Sequence, residues 1–164
     1  ISSSFPTPSR GWLLCAMYPT SASYQFKGLF ETTTGGKQWI QRAHFHPALG
    51  GAITSDFGRM PTDGFAGGIS FLSNGTGWLW TIGPYSSLSA STDSGKNWLP
   101  AWRPSESSDK ELLAASLISP SVGYSLVSSP SAGYSLLVTH DAAKTWDPAQ
   151  SWPLPPRKHA GPPG

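Results

Sequence analysis

Two histidines one residue apart, His44 and His46, are the side chains of this 164-residue chain whose types and spacing best suit metal chemistry. In an extended segment they point to one face. A transition ion could then take both imidazoles, with Asp56 or Asp63 as a further ligand. The plainer reading is a pair of surface histidines beside Pro47, and the sequence favours it. Asp93 and Asp141 invite a metal or acid–base reading of their own. Each stands in a repeated pattern whose third copy has Thr34 in the same slot, and a hydroxyl cannot quietly replace a working carboxylate. Both are therefore read as turn braces. Arginines occur singly, at Arg10, Arg42, Arg59, Arg103 and Arg157. One cysteine, Cys15, excludes an internal disulfide and a cysteine metal cluster. Its apolar surroundings predict a small buried hydrophobe.

The elements that position these residues follow from that repeated pattern. Ser91-Thr92-Asp93-Ser94-Gly95-Lys96-Asn97-Trp98 is matched by Thr32-Thr33-Thr34-Gly35-Gly36-Lys37-Gln38-Trp39 and by Thr139-His140-Asp141-Ala142-Ala143-Lys144-Thr145-Trp146. An aspartate opening a tight turn accepts hydrogen bonds from backbone N–H groups just ahead of it. Gly36 and Gly95 supply the left-handed backbone that such a hairpin demands. At Ala143 that conformation would carry a Cβ penalty of roughly 1–2 kcal/mol. Trp39, Trp98 and Trp146 are expected to pin each turn to the body of the fold. The middle copy, with both Asp and Gly, is expected to be the best braced.

Ser91-x-Asp93-x-Gly95-x-x-Trp98 resembles the Asp-box, or bacterial neuraminidase repeat, of sialidases, sortilin-like receptors and photosystem II assembly factor-like propellers. Gly77-Trp78-Leu79 followed one hairpin later by Asp-Ser-Gly-Lys-Asn-Trp is most similar to the assembly factor-like group. The resemblance implies a structural motif at the turn between the third and fourth strands of a β-propeller blade. Sialidase chemistry, the sharpest activity it suggests, needs three clustered arginines, a tyrosine nucleophile with an acid partner, and an aspartate general acid. None of the arginines here sits in that family's contexts.

A second register fixes the blades. Phe5 precedes Gly11, Phe71 precedes Gly77 and Leu117 precedes Gly123, by six positions each time. Internal repetition of this kind outranks any local signal. The expected fold is all-β: a propeller segment of three four-stranded blades at about 1–42, 67–102 and 113–152. An insertion at 43–66 carries His44, His46, Asp56, Arg59 and Asp63. A tail from Pro153, rich in proline, is expected to be a polyproline-like strap or disordered. With 8 Trp, 18 Gly, 16 Pro and only 12% charged residues, the composition suits short strands broken by turns. A net charge of +2 argues for neither nucleic acid nor an anionic membrane. No apolar run approaches the roughly 20 residues of a bilayer span.

Three blades are too few to close a ring, since propellers typically use about four to eight. A protein partner or self-association is expected to complete it, two copies giving six blades. Position decides among the aromatic residues. Trp12 and Trp78 share their place with Tyr124, and Trp80 shares its own with Leu14 and Leu126, so all are read as core. Trp102 and Trp152 lie beyond the shared positions and, with Arg42 and Arg59, are the candidate partner contacts. The sequence thus points to a non-catalytic protein-binding or assembly module without a cofactor. The alternatives are a glycan-binding or sialidase-like fragment, and an accessory subunit of a metal or redox complex. Few charges and an opening Ile1 lean towards a processed extracytoplasmic chain or a trimmed piece.

Overall fold

The computed structural model describes residues 1–17, 25–45, 58–62, 64–83, 85–104 and 110–154, with the Arg59 side chain left aside. His46, Asp56, Asp63 and nearly all of the proline tail lie outside those residues. The regular elements are strands throughout. The first sheet holds β1 (Ser2–Ser4), β2 (Gly11–Ala16), β3 (Lys27–Thr32), β4 (Ile40–Phe45) and β5 (Gly58–Arg59). The second holds β6 (Phe65–Phe71), β7 (Gly77–Ile82), β8 (Leu88–Ser91) and β9 (Leu99–Trp102). The third holds β10 (Glu111–Leu117), β11 (Gly123–Ser129), β12 (Gly133–Thr139) and β13 (Asp147–Trp152).

Each sheet is an antiparallel meander of four strands in chain order, and the three together form a partial β-propeller. The addition to the first is β5, which runs parallel to β4 with Ala43 opposite Gly58 and His44 opposite Arg59. Its approach to the second sheet is close. A Cβ at Gly58 would lie 1.5 Å from the Lys96 carbonyl oxygen, so only glycine fits. Between third and fourth strands the register slips at the same repeat position in every blade: Leu29/Phe30, Leu88/Ser89 and Leu136/Leu137. Bulges of this kind strengthen local twist, and a propeller blade is a strongly twisted sheet.

Alternation along the strands puts apolar side chains on the faces where blades meet. One core lies between the first and second sheets, built from Trp12, Leu14, Leu29, Ile69, Phe71 and Leu79, with Phe45 and Met60. The other lies between the second and third, built from Trp78, Leu88, Leu112, Leu117, Val127 and Leu137. Trp12 and Trp78 are buried as expected. Trp80 is half-buried against the second core, and its ring covers Gly67 and Gly68, where any Cβ would clash. Cys15 is half-buried on β2 rather than fully inside, because only Gly28 stands opposite it.

Candidate binding surfaces

The three turns between third and fourth strands share one hydrogen-bond scheme. The first hydroxyl accepts from the amide four residues on: Gly36 to Thr32 Oγ1 at 3.0 Å, Gly95 to Ser91 Oγ at 2.9 Å, and Ala143 to Thr139 Oγ1 at 3.1 Å. The residue two later accepts the next amide: Gln38 to Thr34 Oγ1 at 2.9 Å, Asn97 to Asp93 Oδ1 at 2.8 Å, and Thr145 to Asp141 Oδ1 at 2.9 Å. Two consecutive positions hold positive φ in each turn. They are Gly35 and Gly36, Ser94 and Gly95, and Ala142 and Ala143. Trp39 and Trp98 close the turn by donating Nε1–H to the carbonyls of Gly36 and Gly95, at 3.1 and 2.9 Å.

These bonds consume the two carboxylates. Hydrogen bonds from the Thr145 hydroxyl and amide, with Thr139 and Lys144, hold Asp141 down to about 2, against some desolvation. At Asp93 desolvation is the largest influence and pushes upward. The amide and side chain of Asn97, the Ser91 hydroxyl and the Lys96 amide together outweigh it and keep the carboxyl below its ordinary value. Among the described residues the buried carboxylate is Glu31, 2% exposed. It accepts from Arg10 Nε at 2.8 Å through one oxygen and from Arg42 Nε at 2.5 Å through the other. Arg42 therefore serves an ion pair inside the first blade. Arg10 continues across to the second blade, donating to the Ser73 carbonyl at 2.5 Å and to Ser94 Oγ at 2.8 Å.

Neighbouring blades are joined by a repeated contact. Ser4 Oγ accepts the Phe71 amide at 2.8 Å, and Ser70 Oγ accepts the Leu117 amide at 2.9 Å. Above the first of these, Trp12 stacks on Phe71 with centroids 4.2 Å apart and rings 6° from parallel. Trp12 also donates Nε1–H to the Ser94 carbonyl at 3.2 Å. Trp98 meets Phe71 edge-on at 5.9 Å, and Trp146 packs against both Trp78 and Trp102.

Nothing in the collection of family models or among curated sequences matches this chain. Solved structures do. A structure of YCF48 bound to D1 peptide superposes with a TM-score of 0.55 at 20% identity, over 90% of this chain and 39% of that one. The GH74 enzyme of Niastella koreensis gives 0.54 at 13% identity, over 91% of this chain and 22% of its own. The fold is that of a β-propeller. The chain spans well under half the length of either propeller.

On this propeller segment the candidate residues fall in three places. Trp102 lines a cleft of about 520 Å³ with Pro61, Thr62, Trp98, Pro100 and Arg103. Pro61 and Thr62, between β5 and β6, and the outer strands of the second blade thus form one groove, in which Ser87 and Ser89 stand beside the aromatic and proline side chains. Trp152 stands apart at the outer edge of the third blade, opposite Tyr134 and 46% exposed. His44 lies on β4 between Gly28 and Arg59. Among the described residues no three His, Cys, Asp or Glu side chains group closely enough to hold an ion. No described helix is long and apolar enough to cross a membrane.

Sequence reasoning missed the Arg10–Glu31–Arg42 clasp and the serine contacts between blades. The first had no local signature. The second did, because Ser4, Ser70 and Ser116 all precede the residue that sits six positions before the repeat glycine.

Proposed function

We propose that this chain is a non-catalytic protein-binding or assembly module of an extracytoplasmic system, built on Asp-box blades, with the groove at Trp102 as its contact for an extended peptide. The observation that carries this reading is the groove itself, lined by two tryptophans, two prolines and an arginine. Aromatic and proline walls suit extended segments, proline-rich ones above all, whose preformed polyproline II helix costs little entropy to order. The carboxylates of the turns and of Glu31 brace the fold, which leaves the groove to shape and stacking. The structure of YCF48 bound to D1 peptide lends support, since a related propeller fold there holds a peptide. The low share of charged residues fits a place outside the cytoplasm.

The test is a stoichiometric protein partner retained through purification of the parent chain. Trp102→Ala should weaken that partner's affinity by about tenfold or more, as aromatic hot spots do, whereas Trp152→Ala should leave it unchanged. Equal retention by both variants would overturn the assignment of the groove. Binding on a glycan array with no protein partner would instead favour the glycan reading.

A further inference from the structure

The turn between β6 and β7 carries Asn74 and Gly75, the one Asn-Gly pair in the chain. Asn74 is exposed, and Gly75 is buried behind it. Asn74 Oδ1 accepts the Thr76 amide at 2.9 Å, which folds the side chain forward and polarises its carbonyl carbon. The ring that this bond closes contains both the Asn74 Cγ and the Gly75 nitrogen. No side chain shields that nitrogen, and none is allowed. Gly75 holds φ at +88°, and a Cβ there would lie 2.5 Å from Ser94 Oγ. The same turn belongs to the joint between the first two blades. The Gly75 carbonyl accepts the Ser94 amide at 3.0 Å, while Arg10 of the first blade donates to the Ser73 carbonyl and to Ser94 Oγ. Asn97, the other asparagine of the chain, is placed differently. Its Nδ2 donates to Asp93 Oδ2 at 2.7 Å, and the bulky Trp98 follows it.

We propose that Asn74 is a site of spontaneous modification, at which the chain supplies the nucleophile and water is the other reactant. The Gly75 nitrogen gives its proton to solvent base and attacks Asn74 Cγ. An N–C bond forms, the Cγ–Nδ2 bond breaks, and the side-chain nitrogen takes a proton from water and leaves as ammonia. Water then opens the cyclic imide. Cleavage between the Gly75 nitrogen and Cγ leaves aspartate in a normal backbone. Cleavage between that nitrogen and the main-chain carbonyl carbon of Asn74 leaves isoaspartate, with the chain routed through Cβ and Cγ. Neither step oxidises or reduces anything. The Gly75 amide donates to the Leu72 carbonyl at 3.0 Å, so attack waits on opening of the turn. Exposed turns open locally at far smaller cost than the sheets they join. Isoaspartate inserts a methylene into the main chain between Ser73, which Arg10 holds, and the Gly75 carbonyl, which anchors Ser94. Modification of one exposed turn therefore loosens the joint between the first and second blades, independently of the groove at Trp102.

Ageing the purified chain at mildly alkaline pH tests it. Peptide mapping reads the mass gain of an amide turned acid, and methyl transfer by an isoaspartyl carboxyl methyltransferase reads the isomer. Asn74 should convert at least about tenfold faster than Asn97, whose bond to a carboxylate must break first. Asn74→Gln should lose the methyl label. The consequence is read by hydrogen exchange at the Ser94 amide. In the isoaspartyl form, separated chromatographically, that amide should exchange at least about tenfold faster than in the parent. Asn74→Asp, which carries the charge on a normal backbone, should keep the parent's rate. Equal conversion of the two asparagines, or an Asn74 that stays intact in the folded chain under conditions that convert the unfolded one, would overturn the site. An unchanged Ser94 rate in the isoaspartyl form would overturn its link to the joint.

Discussion

Ala142 and Ala143 both hold positive φ, at 62° and 71°, where the first turn uses Gly35 and Gly36. An L-residue in that region costs roughly 1–2 kcal/mol. The two alanines nonetheless differ in what glycine would remove. Ala142 is exposed, so Ala142→Gly should stabilise by about 1 kcal/mol, raising the thermal midpoint by about 2–4 °C. Ala143 is fully buried in the second core. Losing that methyl costs about 1 kcal/mol, so Ala143→Gly should leave the midpoint nearly unchanged. Calorimetry on the two variants checks the contrast. Asp141 gives a pH prediction. Its carboxyl is lowered from 3.8 to about 2 in the folded chain. A depressed carboxylate stabilises fully above its unfolded value, and that contribution is lost as pH falls towards the folded one. Asp141→Asn should therefore unfold at lower denaturant than the parent at neutral pH. The gap should shrink between pH 3.8 and about 2, and a gap that stayed constant would show that the carboxylate is not what braces the turn.

At the scale of strands and turns, position in the stack decides what a tryptophan is worth. Trp98 and Trp146 each reach the core of a joint, whereas Trp39 is 38% exposed and touches Phe5 alone among the described rings. Trp98→Ala should cost about 3 kcal/mol, as large core truncations do. Trp39→Ala should cost about 1 kcal/mol, in keeping with its smaller buried area. Urea midpoints at low protein concentration would test that ratio. Glu31→Gln removes the charge that two arginines share and replaces one of its two acceptor oxygens with an NH2 donor. Breaking a buried pair costs about 3–5 kcal/mol, and the partial exposure of both guanidinium groups places this case at the lower end. The strands and their turns were legible because Thr32, Ser91 and Thr139 begin the same local bonding scheme three times. Glu31 was not, because a buried acid declares itself only through the arginines that tertiary packing brings to it. The exposure of Trp39 was hidden for the same reason: repeats read alike whether or not a neighbour covers them. The closeness of β5 to Lys96 had a glycine as its only trace in the sequence, and Gly58 is one of several in that stretch.

At the scale of the whole molecule, both cores are seams between blades. Stability is therefore carried by neighbours, as in other repeat architectures. Hydrogen exchange at the amides of Phe5, Phe71 and Leu117 measures this most directly, since a bonded buried amide opens far more slowly than an uncovered one. The serine contacts should protect Phe71 and Leu117 at every concentration. The Phe5 amide, on a residue 52% exposed, should exchange faster than either. Three equally fast amides would contradict the joints themselves.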